Sequence, residues 1–195
     1  DKDPSKHSNC ISLDELIMNT QITFLCVPTP MKTSGECDIR IIEAALNEIK
    51  SSVLYHNKDN YIVVLKSTVP PGTTNHLQSL FPDINLIFNP EFLTEANSFE
   101  DFKNQDRIII GTTNNIAIEA TNKLFKKAFP NVPIMFVNPS IAEVVKYVTN
   151  TFLTVKVAYA NEIYQICKAL DVNYNTVMDF AKLDTRLGHS HWNVP

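Results

Sequence analysis

A chain of 195 residues, 44% of them hydrophobic, is long enough for one full domain, or for one domain and part of another. Its net charge of −4 and the lack of any basic run to release counterions argue against nucleic-acid binding or a membrane-surface role. No stretch approaches about 18 consecutive apolar residues and no signal peptide is visible, so a soluble protein is expected.

The pattern alternates short β-branched runs with helical stretches. In chain order, a strand at Ile22–Val27 leads to a helix at Asp38–Leu54 and a strand at Ile62–Leu65. A helix at Pro71–Leu80, a strand at Asn85–Phe88 and a strand at Arg107–Gly111 follow, then a helix at Asn114–Phe129 and a strand at Ile134–Val137. This rhythm implies an α/β fold, Rossmann-like, with a largely parallel sheet. Ligands bind such sheets where loops leave the carboxyl ends of strands. The segments "VPTPMKTSGE", "KSTVPPGTT" and "NPEFLTE" would therefore line one crevice.

At Pro139 the character changes. From Ile141 to Leu170 no breaker interrupts apolar residues spaced three and four apart, which predicts one long helix. Ser140 and Glu143 form the S-x-x-E pattern of a capping box at its start. A shorter helix is predicted at Asn175–Lys182. The chain is thus divided into residues 1–138 and 139–195.

Both ends look cut. A dinucleotide-binding domain opens with a strand and a Gly-rich turn against the pyrophosphate, yet only four glycines occur and no G-x-G is present. Asp1 resembles the acidic position beyond such a turn that binds a ribose, and "HSHWNVP" stops in mid-loop. The four cysteines show no C-x-x-C spacing. Cys26 and Cys167, in apolar and helical surroundings, read as small buried hydrophobes. A reducing, cytoplasmic compartment follows, without a disulfide framework or zinc site.

Several groups invite chemistry, each with an ordinary alternative. Glu91 and Glu95, four apart in a loop opening a short helix, can share a face and accept substrate hydroxyls or assist proton transfer. Acids also favour first helical turns for the dipole alone. Lys146 and Asn150, at i and i+4 on the long helix, can converge on a developing oxyanion, or be an exposed lysine and its neutral neighbour. Ser67 and Thr68 can bind a ligand or a water, or cap their turn, and Thr29 between two prolines is a rigid ligand wall or a rigid turn. Arg186 can grip an anion or pair with Asp184. His189 and His191 lack the further ligands a metal needs, and Lys123, Lys126 and Lys127 read as a solvated helix face.

The order of the blocks decides between these alternatives. "FLCVPTPM", "KSTVPPGTT", "NPEFLTEANSFEDFKNQDRIIIG", "AEVVKYVTNTFLTVKVAYANEI" and "DTRLG" together resemble the nucleotide-sugar dehydrogenases of the UDP-glucose/GDP-mannose dehydrogenase family across nearly the whole chain. The resemblance implies oxidation of the C6 alcohol of a nucleotide sugar, UDP-glucose first among them, to a carboxylate. Two hydride transfers to NAD and a cysteine thioester are involved. It implies that residues 1–138 are an NAD-binding domain and residues 139–195 the start of a central helical domain that pairs subunits into a homodimer. Asp1 and Lys6 would lie near the adenosine ribose, with Val27, Pro28, Thr29, Pro30, Ser67, Thr68 and Glu95 on the cofactor side. Glu91, Phe92, Leu93, Thr94 and Glu95 would meet the sugar nucleotide, Glu91 assisting thioester hydrolysis and Thr68 holding a catalytic water. Lys146 would be the acid/base and oxyanion-stabilising lysine, Asn150 its partner donor, and Arg186 a substrate contact across the dimer.

The sequence departs from the family pattern in lacking the G-x-G-x-x-G turn and the block with the nucleophilic cysteine, so the chain by itself is expected to lack the covalent step and to bind NAD poorly. Glu95-Ala96 stands where relatives often read Glu-Gly. The competing expectations are a non-catalytic dimerising or nucleotide-sugar-binding remnant and a dehydrogenase of GDP-mannose or of a UDP-N-acetylated sugar. A dehydrogenase of the 3-hydroxyacid or 6-phosphogluconate type shares a Lys and Asn four apart on a long helix, but "NPEFLTE" does not suit it.

Overall fold

Five four-residue strands form one sheet in the order β1 (Ile22–Leu25), β2 (Ile62–Leu65), β3 (Asn85–Phe88), β4 (Ile108–Gly111) and β5 (Ile134–Val137). The computed structural model describes residues 10–94 and 96–194. β1, β2 and β3 run parallel in continuous register, from Ile22 beside Ile62 beside Asn85 to Leu25 beside Leu65 beside Phe88. β4 and β5 are also parallel, but β4 meets β3 antiparallel through Phe88 and Gly111.

The helices are α1 (Leu13–Asn19), α2 (Arg40–Tyr55), α3 (Thr73–Leu80), α4 (Ser98–Lys103), α5 (Asn115–Ala128), α6 (Pro139–Ala169) and α7 (Tyr174–Ala181), before a 3₁₀ turn at Thr185–Leu187. The strands are apolar on both faces because helices cover both. Crossovers that step along the sheet in one direction with one hand place their helices on one side. Ile42, Leu46, Ile49 and Val53 of α2 and Leu77 of α3 accordingly pack with Val63, Leu65, Leu86 and Phe88. The alternate residues Ile62, Val64 and Ile87 join Ala117 and Phe125 of α5 in the opposite cluster. β2, β3 and β5 take the predicted bounds, whereas β1 ends at Leu25 and β4 begins at Ile108.

Two short helices escaped the periodicity argument. In α1, Ser12 Oγ accepts the Glu15 N–H at 3.1 Å, so a capping pattern was present but the helix is only seven residues long. α4 has six residues and none buried, which leaves no apolar stripe to read.

Two expectations are corrected. Cys26 is exposed, because it continues the alternation of β1, in which Phe24 is exposed and Leu25 buried; Cys167 is buried as expected. Ser140 and Glu143 form no capping box on the long helix. Asn138 caps it instead, its Oδ1 accepting the Ser140 N–H at 3.0 Å and its carbonyl accepting from Ala142, with Pro139 pre-set at the first helical position. The Glu143 carboxylate, with no exposed surface, goes to α3. That helix starts at Gly72, in left-handed backbone and with no side chain to cap it. Glu143 accepts the Gly72 N–H (2.5 Å), the Thr74 N–H (2.8 Å) and the Thr74 hydroxyl (2.6 Å).

The described residues separate into two compact units, one up to Lys146 and one from Tyr147 onward, with α6 contributing to each. In the second unit Ala160, Cys167, Tyr174, Met178 and Trp192 form a small core. Tyr174 Oη donates to the Trp192 carbonyl at 2.6 Å, and Lys156 Nζ lies 4.6 Å from the Trp192 ring. Among the described residues no helix is long and apolar enough to cross a membrane.

The start of α6 lies against the sheet at Gly111, where an added Cβ would meet Pro139 Cα at 2.8 Å and Ala142 Cβ at 3.0 Å. Gly111→Ala should therefore destabilise the chain by about 1–3 kcal/mol. A lower urea midpoint with an unchanged far-UV spectrum is the expected result; an unchanged midpoint would show that the helix start yields freely.

Candidate active site at the carboxyl edge of the sheet

Because Leu25, Leu65 and Phe88 are aligned in register, the segments after β1, β2 and β3 leave the sheet side by side. Polar side chains knit them together. Ser67 Oγ donates to the Val27 carbonyl at 2.6 Å and accepts the Val27 N–H at 3.1 Å, and Thr29 Oγ1 donates to the Thr68 carbonyl at 2.9 Å. The two loops thus form one wall. Ser67 serves that wall rather than capping its own turn.

The third loop is held from both sides. Asn89, 4% exposed, donates from Nδ2 to the Ile109 carbonyl at 2.8 Å and accepts at Oδ1 from Lys66 Nζ at 3.0 Å. Pro90 follows and biases the exit away from helix. Residues 91–94 are irregular, and helix resumes only at Ser98, so Glu91 does not lie in a first helical turn as the sequence suggested. Glu91 Oε2 accepts the Leu93 N–H at 2.7 Å. The Thr94 N–H and hydroxyl donate to Asp101 Oδ2 at 2.8 and 2.6 Å, tying the loop to α4. Phe92 is half-buried, with the Arg107 guanidinium 4.4 Å from its ring centroid.

Lys146 enters from α6. It is 3% exposed, and its Nζ donates to Glu91 Oε1 at 2.7 Å and to the Glu91 carbonyl. The burial excludes the exposed lysine that the sequence left open: Lys146 is an interior residue with a carboxylate partner. Burial pushes the Glu91 carboxyl up, but the bonds from Lys146 and Leu93 and the charges of Lys146 and Lys66 outweigh it and hold the group below its ordinary value. Lys66 is lowered too, but by burial rather than by its partners. Burial pushes its ammonium down to about 8, helped by the Lys146 charge and opposed by Cys26 and Glu91.

Glu91 and Lys146 are thus brought together, as are Val27 with Ser67 and Thr29 with Thr68. Asn150 and Arg186 belong to the second unit. There Asn150 lines a shallow pocket with Leu153, Thr154, Val157 and His191, and Arg186 makes an exposed bidentate pair with Asp184, at 2.9 and 2.5 Å. The expectations for Asp1, Lys6 and Glu95 lie outside the described residues. Among the described residues no group of three or more His, Cys, Asp or Glu side chains could hold a metal ion. Sequence reasoning missed Lys66, Asn89 and Glu143 as parts of the site. A lysine ending a wholly apolar strand, and an asparagine between such a strand and a proline, were signals available for the first two.

This is the fold of a dinucleotide-binding α/β protein, with a buried lysine–carboxylate pair at the edge where such sheets take ligands. Residues 6–129 match the UDP-glucose/GDP-mannose dehydrogenase family, NAD binding domain, and residues 140–194 match the central domain of the same family. The chain belongs to that family. A UDP-glucose 6-dehydrogenase of Rickettsia bellii is 34% identical over 93% of this chain and 42% of its own length. A UDP-glucose dehydrogenase structure from Pyrobaculum islandicum superposes with a TM-score of 0.85 at 33% identity, over 94% of this chain and 43% of that one. A GDP-mannose dehydrogenase from Pseudomonas aeruginosa gives 0.77 at 29% identity, over 88% and 41%. The chain therefore spans less than half the length of these relatives.

Both groups are shifted down in the fold, so both contributions to stability rise with pH, in separate windows. From about pH 8 to 10.5 the unfolded chain keeps the Lys66 proton that the folded site has released, so this group's contribution to stability rises with pH across that window. Glu91, depressed in the fold, contributes fully above its unfolded value of 4.5 and loses that contribution as pH falls through the lower folded value. The urea midpoint of wild type should accordingly gain on that of Lys66→Met between pH 8 and 10. A constant gap would mean that Lys66 titrates alike in both states.

Proposed function

We propose that this chain is the NAD-binding region and the start of the central helical region of a cytoplasmic nucleotide-sugar dehydrogenase, divided at residues 138 and 139. The reaction is oxidation of the C6 alcohol of UDP-glucose to UDP-glucuronate through a thioester on a cysteine outside this chain. The observation that carries the reading is the contact of the buried Lys146 with Glu91 at the carboxyl edge of a family-type sheet. The four free cysteines are in keeping with a reducing compartment.

The wall joined by Ser67–Val27 and Thr29–Thr68 fits one side of the cofactor: its prolines offer no N–H donors and the Ser67 and Thr29 hydroxyls are turned to holding the loops. Val27, Pro28, Thr29, Pro30, Ser67 and Thr68 would hold NAD there, together with Glu95 and, at the adenosine ribose, Asp1 and Lys6. NAD, when bound, accepts the hydride.

The chain's own residues handle protons and charge. Lys146 Nζ spends two of its three N–H donors on Glu91, and the third serves the C6 oxygen as negative charge develops. Asn150 is the companion donor. In thioester hydrolysis a water held by Thr68 attacks the acyl carbon, its proton passes to the Glu91 carboxylate, the C–O bond forms, and the C–S bond breaks with loss of thiolate. Phe92, Leu93, Thr94 and Glu95 line the sugar-nucleotide side, and Arg186 reaches the substrate of the partner subunit. The apolar residues Val148, Phe152, Val155 and Tyr159 of α6, each more than half exposed, support a homodimer built on this helix.

In the enzyme that carries this chain, Lys146→Ala should lower turnover about 10²–10³-fold with little effect on substrate binding. Glu91→Gln should accumulate a covalent substrate adduct, detectable by mass spectrometry. The decisive assay follows NADH absorbance with UDP-glucose. Turnover only of GDP-mannose or a UDP-N-acetylated sugar would assign a sister activity. Binding without turnover of any of them would assign a non-catalytic module. Phe152→Glu should convert a dimer to a monomer in sedimentation velocity, and a wild-type monomer would remove the helix-based interface.

A further inference from the structure

Lys66 is a half-buried cation of the site to which the proposed chemistry gives no task. Its backbone N–H continues the β1–β2 ladder to the Leu25 carbonyl at 3.0 Å, which fixes where the side chain starts. Its Nζ then reaches across to the Asn89 amide oxygen at 3.0 Å. Asn89 is otherwise committed, its N–H to the Leu65 carbonyl at 3.0 Å and its Nδ2 to the Ile109 carbonyl at 2.8 Å. Lys66 thus supplies the donor to the Asn89 Oδ1. Two residues further along the chain stands Glu91.

We infer that Lys66 is a positioning residue of this site: by holding Asn89 it sets the direction in which the Pro90–Glu91 turn leaves the sheet. The inference rests on the reading of Glu91 as a working carboxylate. The groups that face Lys66 come from three sides: Cys26 after β1, Glu91 after β3 and Lys146 from α6. Glu91 has a direct hydrogen-bonded cation in Lys146, whereas Lys66 acts on it through the field alone. That division makes Lys66 the group whose protonation can change without breaking the ion pair. Burial has already pulled its ammonium down to about 8. Above that value the amine still donates, but as a neutral group, and a bond of roughly half the strength is left on Asn89.

The test is an NMR titration of the chain, with labels in the Asn amides and Glu carboxyls. In wild type the Asn89 side-chain amide and the Glu91 carboxyl carbon should share one inflection near pH 8. Lys66→Arg, which stays charged, should keep both signals near their acidic-side positions and abolish the inflection. Lys66→Met should raise the Glu91 midpoint and move the Asn89 amide at every pH. No inflection at Asn89 in wild type, or one that persists in Lys66→Arg, would overturn the inference, and the wild-type arm holds even if the Met variant does not fold. The failure of this inference and of the proposed function are separable. Glu91→Gln without an adduct removes the catalytic reading while the titration stands; absent coupling removes Lys66 alone.

Discussion

A carboxylate with no solvent contact, Glu143 on α6, takes up the free N–H groups at the start of α3. Burying such a charge is costly unless donors surround it, and here three do, at the positive end of a helix. The arrangement fixes both the position and the rotation of the first turns of α6. Lys146 lies one helical turn beyond Glu143, so the clamp on α3 also determines where the ammonium arrives. Gly111 contributes from below by letting Pro139 and Ala142 approach the sheet more closely than a Cβ would allow. The Lys146–Glu91 contact therefore depends on interactions that touch neither residue.

The charges at the sheet edge are arranged unequally. Lys146 has an ionised partner and a backbone carbonyl, while Lys66 has a neutral amide. A half-buried lysine with only an amide for company gives up its proton more easily than one held by a carboxylate. The site thus contains one lysine hydrogen-bonded to a carboxylate and another, bonded to an amide, whose ammonium burial has pulled down to about 8. Breaking the paired one by removing Glu91 would leave an uncompensated buried ammonium, which is the expensive case.

Much of the fold was legible because the signals were local and redundant. β2, β3 and β5 are uninterrupted apolar runs between turn residues, and α2, α5 and α6 carry long apolar stripes. What could not be read was the destination of side chains with more than one use. Glu143 sits in a perfect S-x-x-E pattern, yet its carboxylate is claimed by a helix start some 70 positions earlier, which no local pattern encodes. Cys26 continues an apolar run, but on the side of the strand where Phe24 is exposed. The burial of Lys146 was not legible because a lysine at that helix position is as readily exposed, and Lys66 gave no signal because a charge at a strand end is ordinarily solvated.

The sheet's one reversal explains why the acid loop lies where it does. Had β4 run parallel to β3, the chain would have crossed a face of the sheet and returned to the amino edge before pairing. Because β4 is antiparallel, it starts on the carboxyl edge, where β3 ends. The same reversal points the Ile109 carbonyl at Asn89 Nδ2, giving the amide an acceptor on one side while Lys66 donates on the other. The change of strand direction, the bridging asparagine and the outward course of Glu91 are thus a single structural event. A sequence reading that says only "largely parallel" misses the part of the topology that delivers the carboxylate.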